Sequence, residues 1–131
     1  MNGPSSLPRV SRPAFWIGWV LSVLPVLMLL FSAYMKFALP KEAVEGFEHL
    51  QYPTTLAFNL GILELACAAI YLFPHTAVLG AILLTGYFGG ATATHVRVHD
   101  PFWIPPLLGV LVWLGLYLRE PRLRSLIPLR R

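Results

Sequence analysis

The chain has 131 residues, of which 56% are hydrophobic and 12% charged, with a formal net charge of +4 and a mean hydropathy of +0.65. That balance is too apolar for a water-soluble domain of this length and points to a chain that folds in lipid. A single cysteine, Cys67, excludes an internal disulfide, a CxxC redox pair and a cysteine zinc site, and the positive charge gathers at the two ends of the sequence, where it speaks of membrane topology and not of a nucleic-acid surface.

Residues 1–13, with Pro4, Pro8 and Pro13 among serines, read as a disordered cytoplasmic lead. The first apolar run, Ala14 to Ala38, exceeds the roughly 20 helical residues that cross a hydrocarbon core of about 30 Å. It is also longer than the h-region of a cleaved signal peptide and no A-x-A-like site follows it, so it is expected to persist as a helix, kinked at Pro25. The segment PKEAVEGFEHLQYP, Pro40 to Pro53, spaces Val44, Phe47 and Leu50 by three, which predicts a short amphipathic helix lying on the outer interface.

A second run covers Thr54 to Phe73 and a third Ala77 to Val96. The turn between them, Phe73-Pro74-His75-Thr76, is so short that the two helices must be antiparallel neighbours. After Asp100 and Pro101 comes a fourth run, Trp103 to Leu118, marginal in length but flanked by Pro105, Pro106 and the interfacial side chains Trp103 and Tyr117. The basic tail, residues 120–131, intersperses Leu123, Leu126, Ile127 and Leu129 among arginines, a pattern suited to anionic headgroups.

Arg9 and Arg12 precede the first run, whereas Arg119, Arg122, Arg124, Arg130 and Arg131 follow the last. The positive-inside rule then puts both termini in the cytoplasm, which requires an even number of spans, and the acidic loop carrying Glu42, Glu45 and Glu48 faces outward. The expected fold is therefore all-α: an integral membrane four-helix bundle over residues 14–119, with both termini cytoplasmic and a short amphipathic helix in the first outer loop.

Ionisable side chains inside apolar helices are costly, so the residues that interrupt the runs carry the functional information. Glu64 lies ten residues into the second run, about 15 Å along a helix and near the midplane. A carboxyl at that depth needs a polar partner, and Tyr87, at a similar depth on the third helix, is the expected one. Lys36, near the outer end of the first helix, is within snorkelling reach of the headgroups and equally able to face the bundle. His95, Arg97, His99 and Asp100 gather at the outer rim. Gly86 and Gly90 form a small-xxx-small pattern expected to let another helix approach closely.

Together Lys36, Glu64, Tyr87, His95 and Arg97 set polar groups at two depths on one side of the midplane, which describes a cleft opening outward. The plainer alternative is packing glycines, backbone-bonded threonines and a solvated helix end. No metal site is expected.

The motifs FSAYMKF (Phe31 to Phe37), KEAVEGFEHLQYP, GILELACAAIYLFP (Gly61 to Pro74) and YFGGATATHVRVHDP (Tyr87 to Pro101), in this order and spacing, resemble those of the DoxX-like family of small four-helix membrane proteins; the resemblance covers about residues 31–119. It implies a bundle in a bacterial inner membrane. Some relatives are subunits of quinone-reducing sulfur-oxidising enzymes, and others assist maturation of redox proteins or belong to oxidative-stress assemblies. Carried over by position, the motif residues are Lys36, Glu64, Tyr87, His95 and Arg97. The family's disulfide-linked roles sit poorly with a chain that has one cysteine.

The resulting expectation is an accessory or quinone-interacting subunit of a membrane redox system, not a catalyst on its own. Quinone is the candidate cofactor. The expected partners are the lipid bilayer, a redox-enzyme subunit and further copies of the chain, with no nucleic acid. A small proton-coupled carrier for an apolar or anionic solute and a purely structural membrane subunit are the alternative readings.

Overall fold

The computed structural model describes residues 11–126. The chain forms α1 (Arg12–Ala38), α2 (Lys41–His49), a 3-10 turn (Thr54–Leu56), α3 (Ala57–Leu72), a second 3-10 turn (Pro74–Thr76), α4 (Ala77–Arg97), α5 (Ile104–Arg119) and α6 (Pro121–Arg124). Among the described residues there is no strand. The architecture is all-α, as the periodicity requires.

Local chemistry sets the helix ends. The Ser11 side chain accepts the Ala14 amide at 3.3 Å, and Pro13 occupies the first turn, where its missing N–H leaves nothing unsatisfied. Helix α1 therefore starts at Arg12, two residues inside the expected disordered lead, whose residues 1–10 lie outside the described residues. It runs unbroken through the buried Pro25 and stops at Leu39, whose φ of 48° lets its amide bond back to the Met35 carbonyl.

The long helices close a ring: α1 packs on α3 and α5, and α4 packs on the same two. Three segments, Arg12–Ala38, Thr54–Leu72 and Pro74–Arg97, are long and apolar enough to cross a membrane, and Ile104–Arg119 is a shorter apolar helix. Their outward faces carry exposed Trp16, Leu27, Phe31, Leu79, Ile82 and Val110, a surface that only lipid or another apolar chain can cover at low cost. Inside, Val26, Leu29, Ala68, Tyr71, Leu84, Val112 and Leu116 form the core.

Close approach depends on glycines other than those the sequence pattern singles out. A Cβ at Gly18 would stand 2.7 Å from the Gly115 carbonyl oxygen, and one at Gly80 would collide with the Tyr71 backbone. These positions let α1 meet α5 and α3 meet α4. Among the described residues Gly86 and Gly90 seat no helix: a Cβ at either would find no neighbouring atom within 4 Å. The reason is register. The buried face of α4 is Ala77, Gly80, Ala81, Leu84 and Phe88, and Gly86 lies two residues from both Leu84 and Phe88, so it points away from that face.

The basic tail is partly structured. The Glu120 side chain accepts the Arg122 amide at 3.1 Å, Leu123 is buried in the core, and Arg124 Nε donates to the Tyr117 carbonyl at 3.0 Å. The tail's Ile127 and Leu129 lie outside the described residues.

Candidate functional site

Glu64 faces inward from α3 and is 2% exposed. Lys36 reaches it from α1: Nζ stands 2.9 Å from Glu64 Oε1 and donates to Ser32 Oγ, one turn earlier on the same helix, at 2.6 Å. Lys36 is thus turned into the bundle instead of snorkelling outward. The contact with Glu64 is an ion pair at close range without an aligned hydrogen bond, because Oε1 accepts none. Tyr87 of α4, the partner expected from depth alone, stands beside the same carboxyl group, but the counter-charge comes from Lys36.

These groups form one end of a cavity of about 620 Å³. The rest of its wall is mostly apolar, with Met28 of α1, Leu60 of α3, Phe88 of α4 and Leu108 of α5. Gly86, Gly90, Thr94 and His95 complete the α4 side. His95 Nδ1 lies 2.7 Å from the Ala91 carbonyl oxygen, so that nitrogen carries a proton and donates it to the carbonyl. The arrangement offers one polar, ion-paired corner inside a mostly apolar chamber, which suits a ligand with a small polar head on an apolar body.

The amphipathic helix α2 packs onto the bundle. Its buried Phe47 and the following Leu50 and Tyr52 line the cavity, so α2 and its exit loop form a roof. The roof is fastened to the end of α4 by side chains from both. His49 Nε2 lies 2.8 and 2.9 Å from the two Asp100 carboxylate oxygens, and the Tyr52 hydroxyl is 3.2 Å from Thr94 Oγ1. Arg97 donates to the Leu50 carbonyl and sits over the Tyr52 ring, 5.0 Å from its centroid. Arg97 is exposed and holds the roof from outside.

Of the five residues singled out by sequence, Lys36, Glu64, Tyr87 and His95 therefore line one cavity, and Arg97 does not. The fastening partners His49, Tyr52 and Asp100 were missed as site residues. The apolar spacing of α2 signalled that one of its faces would be covered, without saying by what.

A second polar cluster lies among α1, α3 and α5. Arg119, 8% exposed, stacks over Trp19 at 4.1 Å and over Tyr71 at 5.3 Å, and its Nε donates to Ser22 Oγ at 3.1 Å. The Tyr71 hydroxyl is 2.8 Å from Ser22 Oγ and 2.7 Å from the Val112 carbonyl oxygen. By sequence Arg119 belonged with the topology-setting arginines; its neighbours make it a buried cross-link. Among the described residues no three His, Cys, Asp or Glu side chains come together as a metal site.

The sequence model of the DoxX-like family matches residues 20–116, a span that includes every residue lining the cavity. No curated protein and no solved structure matches the chain.

Proposed function

The chain belongs to the DoxX-like family, and for this helical membrane protein we propose the role of an accessory subunit of a membrane redox system, one that holds a quinone-like ligand in the cavity beneath α2. The observation that carries the reading is the Lys36–Glu64 ion pair, 2.9 Å apart in a mostly apolar chamber. Two buried charges gain nothing over a hydrophobic pair unless they do something else, because desolvation offsets most of their attraction. A ligand carbonyl or hydroxyl in that corner meets an ammonium donor at Lys36 and a carboxylate acceptor at Glu64.

Reduction of a quinone to a quinol takes two electrons and two protons. The chemistry belongs to the ligand and the electrons come from a partner subunit; this chain contributes the binding site and, at Glu64, a group able to hold and release one of the protons. The lining Tyr87 hydroxyl and His95 Nε2 are further hydrogen-bonding groups for the head.

The proposed setting is a bacterial inner membrane, with α1, α3, α4 and α5 crossing it and both termini cytoplasmic. The arginines at both ends of the sequence and the glutamates between α1 and α3 support that topology. Its consequence is that the roof lies at the outer surface.

Equilibrium binding of decylubiquinone to the purified chain in nanodiscs tests the reading. Glu64→Gln and Lys36→Met are each expected to weaken binding at least tenfold, and wild-type affinity in both variants overturns it. Solute uptake by vesicles holding the purified chain alone would favour the carrier alternative, and unimpaired function of Glu64→Gln the structural one.

A further inference from the structure

We infer that the cavity takes its ligand sideways from the bilayer, through a window between α3 and α4 at Gly86 and Gly90, and not from water past α2. The inference rests on the reading of the cavity as a site for a lipophilic ligand and adds the route and the shape of molecule that fits.

Helices α3 and α4 touch at backbone distance where Gly80 meets Tyr71. Further along the pair, Leu56 of the 3-10 turn and Leu60 of α3 on one side and Gly86 and Gly90 of α4 on the other all line the cavity. Both glycines are exposed, and the space a Cβ would occupy is empty to 4 Å. A position two residues from the buried Leu84 and Phe88 is turned about 160–200° away from them, so Gly86 faces outward. A residue that borders a cavity and also faces outward marks a break in its wall.

The break lies at hydrocarbon depth. Gly90 and Gly86 precede Arg97 at the end of α4 by seven and eleven residues, about 10 and 16 Å along the axis. The outward residues before them, Leu79, Ile82 and Leu83, are exposed and apolar. Glu64, 2% exposed with an oxygen that accepts no aligned hydrogen bond, is the polar group waiting inside.

The opposite end is covered by the roof. Phe47, Leu50 and Tyr52 cover the polar end, and His49–Asp100, Tyr52–Thr94 and Arg97–Leu50 fasten them down. The matching ligand is a membrane-dissolved molecule whose head reaches Lys36 and Glu64 while an apolar tail leaves between α3 and α4. The cavity then limits the head and not the length of the tail.

The test uses the full chain in phospholipid vesicles with a diazirine-bearing hydrocarbon as the probe, photolysed and mapped by mass spectrometry. In the wild type, Leu60 and Glu64 are expected to be labelled along with lipid-facing Leu79 and Ile82. In Gly86→Leu/Gly90→Leu, labelling of Leu60 and Glu64 should fall at least fivefold while Leu79 and Ile82 keep theirs, which also shows that the variant has folded. Tying the roof with a short bismaleimide in His49→Cys/Asp100→Cys, made on Cys67→Ala, should leave labelling within twofold of the untied chain. Absence of label at Glu64 in the wild type, full labelling in the leucine pair, or loss on tying the roof each overturns the inference. The probe is not a quinone, so failure to bind decylubiquinone bears on the functional reading alone.

Discussion

Glu64 is a costly side chain, a buried carboxyl near the middle of an apolar helix, and Lys36 is brought to it from another helix. Removing one partner leaves the other charge buried without compensation, which is far worse than removing both. Lys36→Met is therefore expected to destabilise the fold by about 3 kcal/mol, and Lys36→Met/Glu64→Leu to recover most of that loss. Thermal unfolding in detergent checks it; a double variant no more stable than the single one would show that the pair is not coupled.

Arg119 makes a similar case in a different way. Its guanidinium carbon lies 4.1 Å from the centre of the Trp19 ring while Nε bonds Ser22, a combination that an ammonium cannot reproduce. Arg119→Lys is expected to cost about 1–2 kcal/mol even though the charge is kept. The same unfolding assay reads it, and a neutral result would reduce Arg119 to a topology signal.

At the scale of the helices, the sequence showed small residues on α4 but not which of them a neighbour would touch. Four-residue spacing identifies a stripe, and α4 carries more than one. Gly80 falls on the stripe that faces α3, whereas Gly86 and Gly90 fall on one that faces away. Gly80→Leu is expected to destabilise the chain by more than about 3 kcal/mol, since the obstructing atoms are backbone and cannot rotate aside. Gly90→Leu should leave melting within a few degrees of wild type. Equal losses would return Gly90 to the packing role its motif first suggested.

Helix α2 is nine residues long, too short to be stable alone, so its order depends on what it covers. The apolar positions Val44, Phe47 and Leu50 were legible as a stripe, and the tertiary structure supplied the cavity that Phe47 and Leu50 line. Arg97→Ala/Asp100→Ala removes two fastenings from α4. Amide exchange in residues 44–52 is expected to speed up about tenfold, the response of a locally opening segment, with exchange in α3 and α5 unchanged. Uniform acceleration throughout the chain would mean that these side chains support the whole fold and not the roof.

For the whole molecule, the arrangement of charge along the sequence and the ring of helices make a joint statement about orientation. Reporter fusions at residue 50 and at residue 131 are expected to report outside and inside respectively. An internal signal from residue 50 with an external one from residue 131 would invert the molecule and place the roof in the cytoplasm, and external signals from both would remove the four-span topology.

The helices were readable from the sequence because hydropathy is local: apolar runs of sufficient length and prolines where no N–H is needed each act within a few residues. Glu64 was readable as a polar intruder for the same reason, since its cost depends on depth, and depth is a count along one helix. What the sequence left open was every choice between helices: whether Lys36 turned toward water or toward Glu64, whether Arg97 lined the cavity or held its roof, and which glycines were contacts and which were space. Each of these depends on the rotation of one helix against another. Packing across the entire bundle decides that rotation, through the collisions at Gly18, Gly80 and Gly115 that only small residues avoid, and no single segment encodes it.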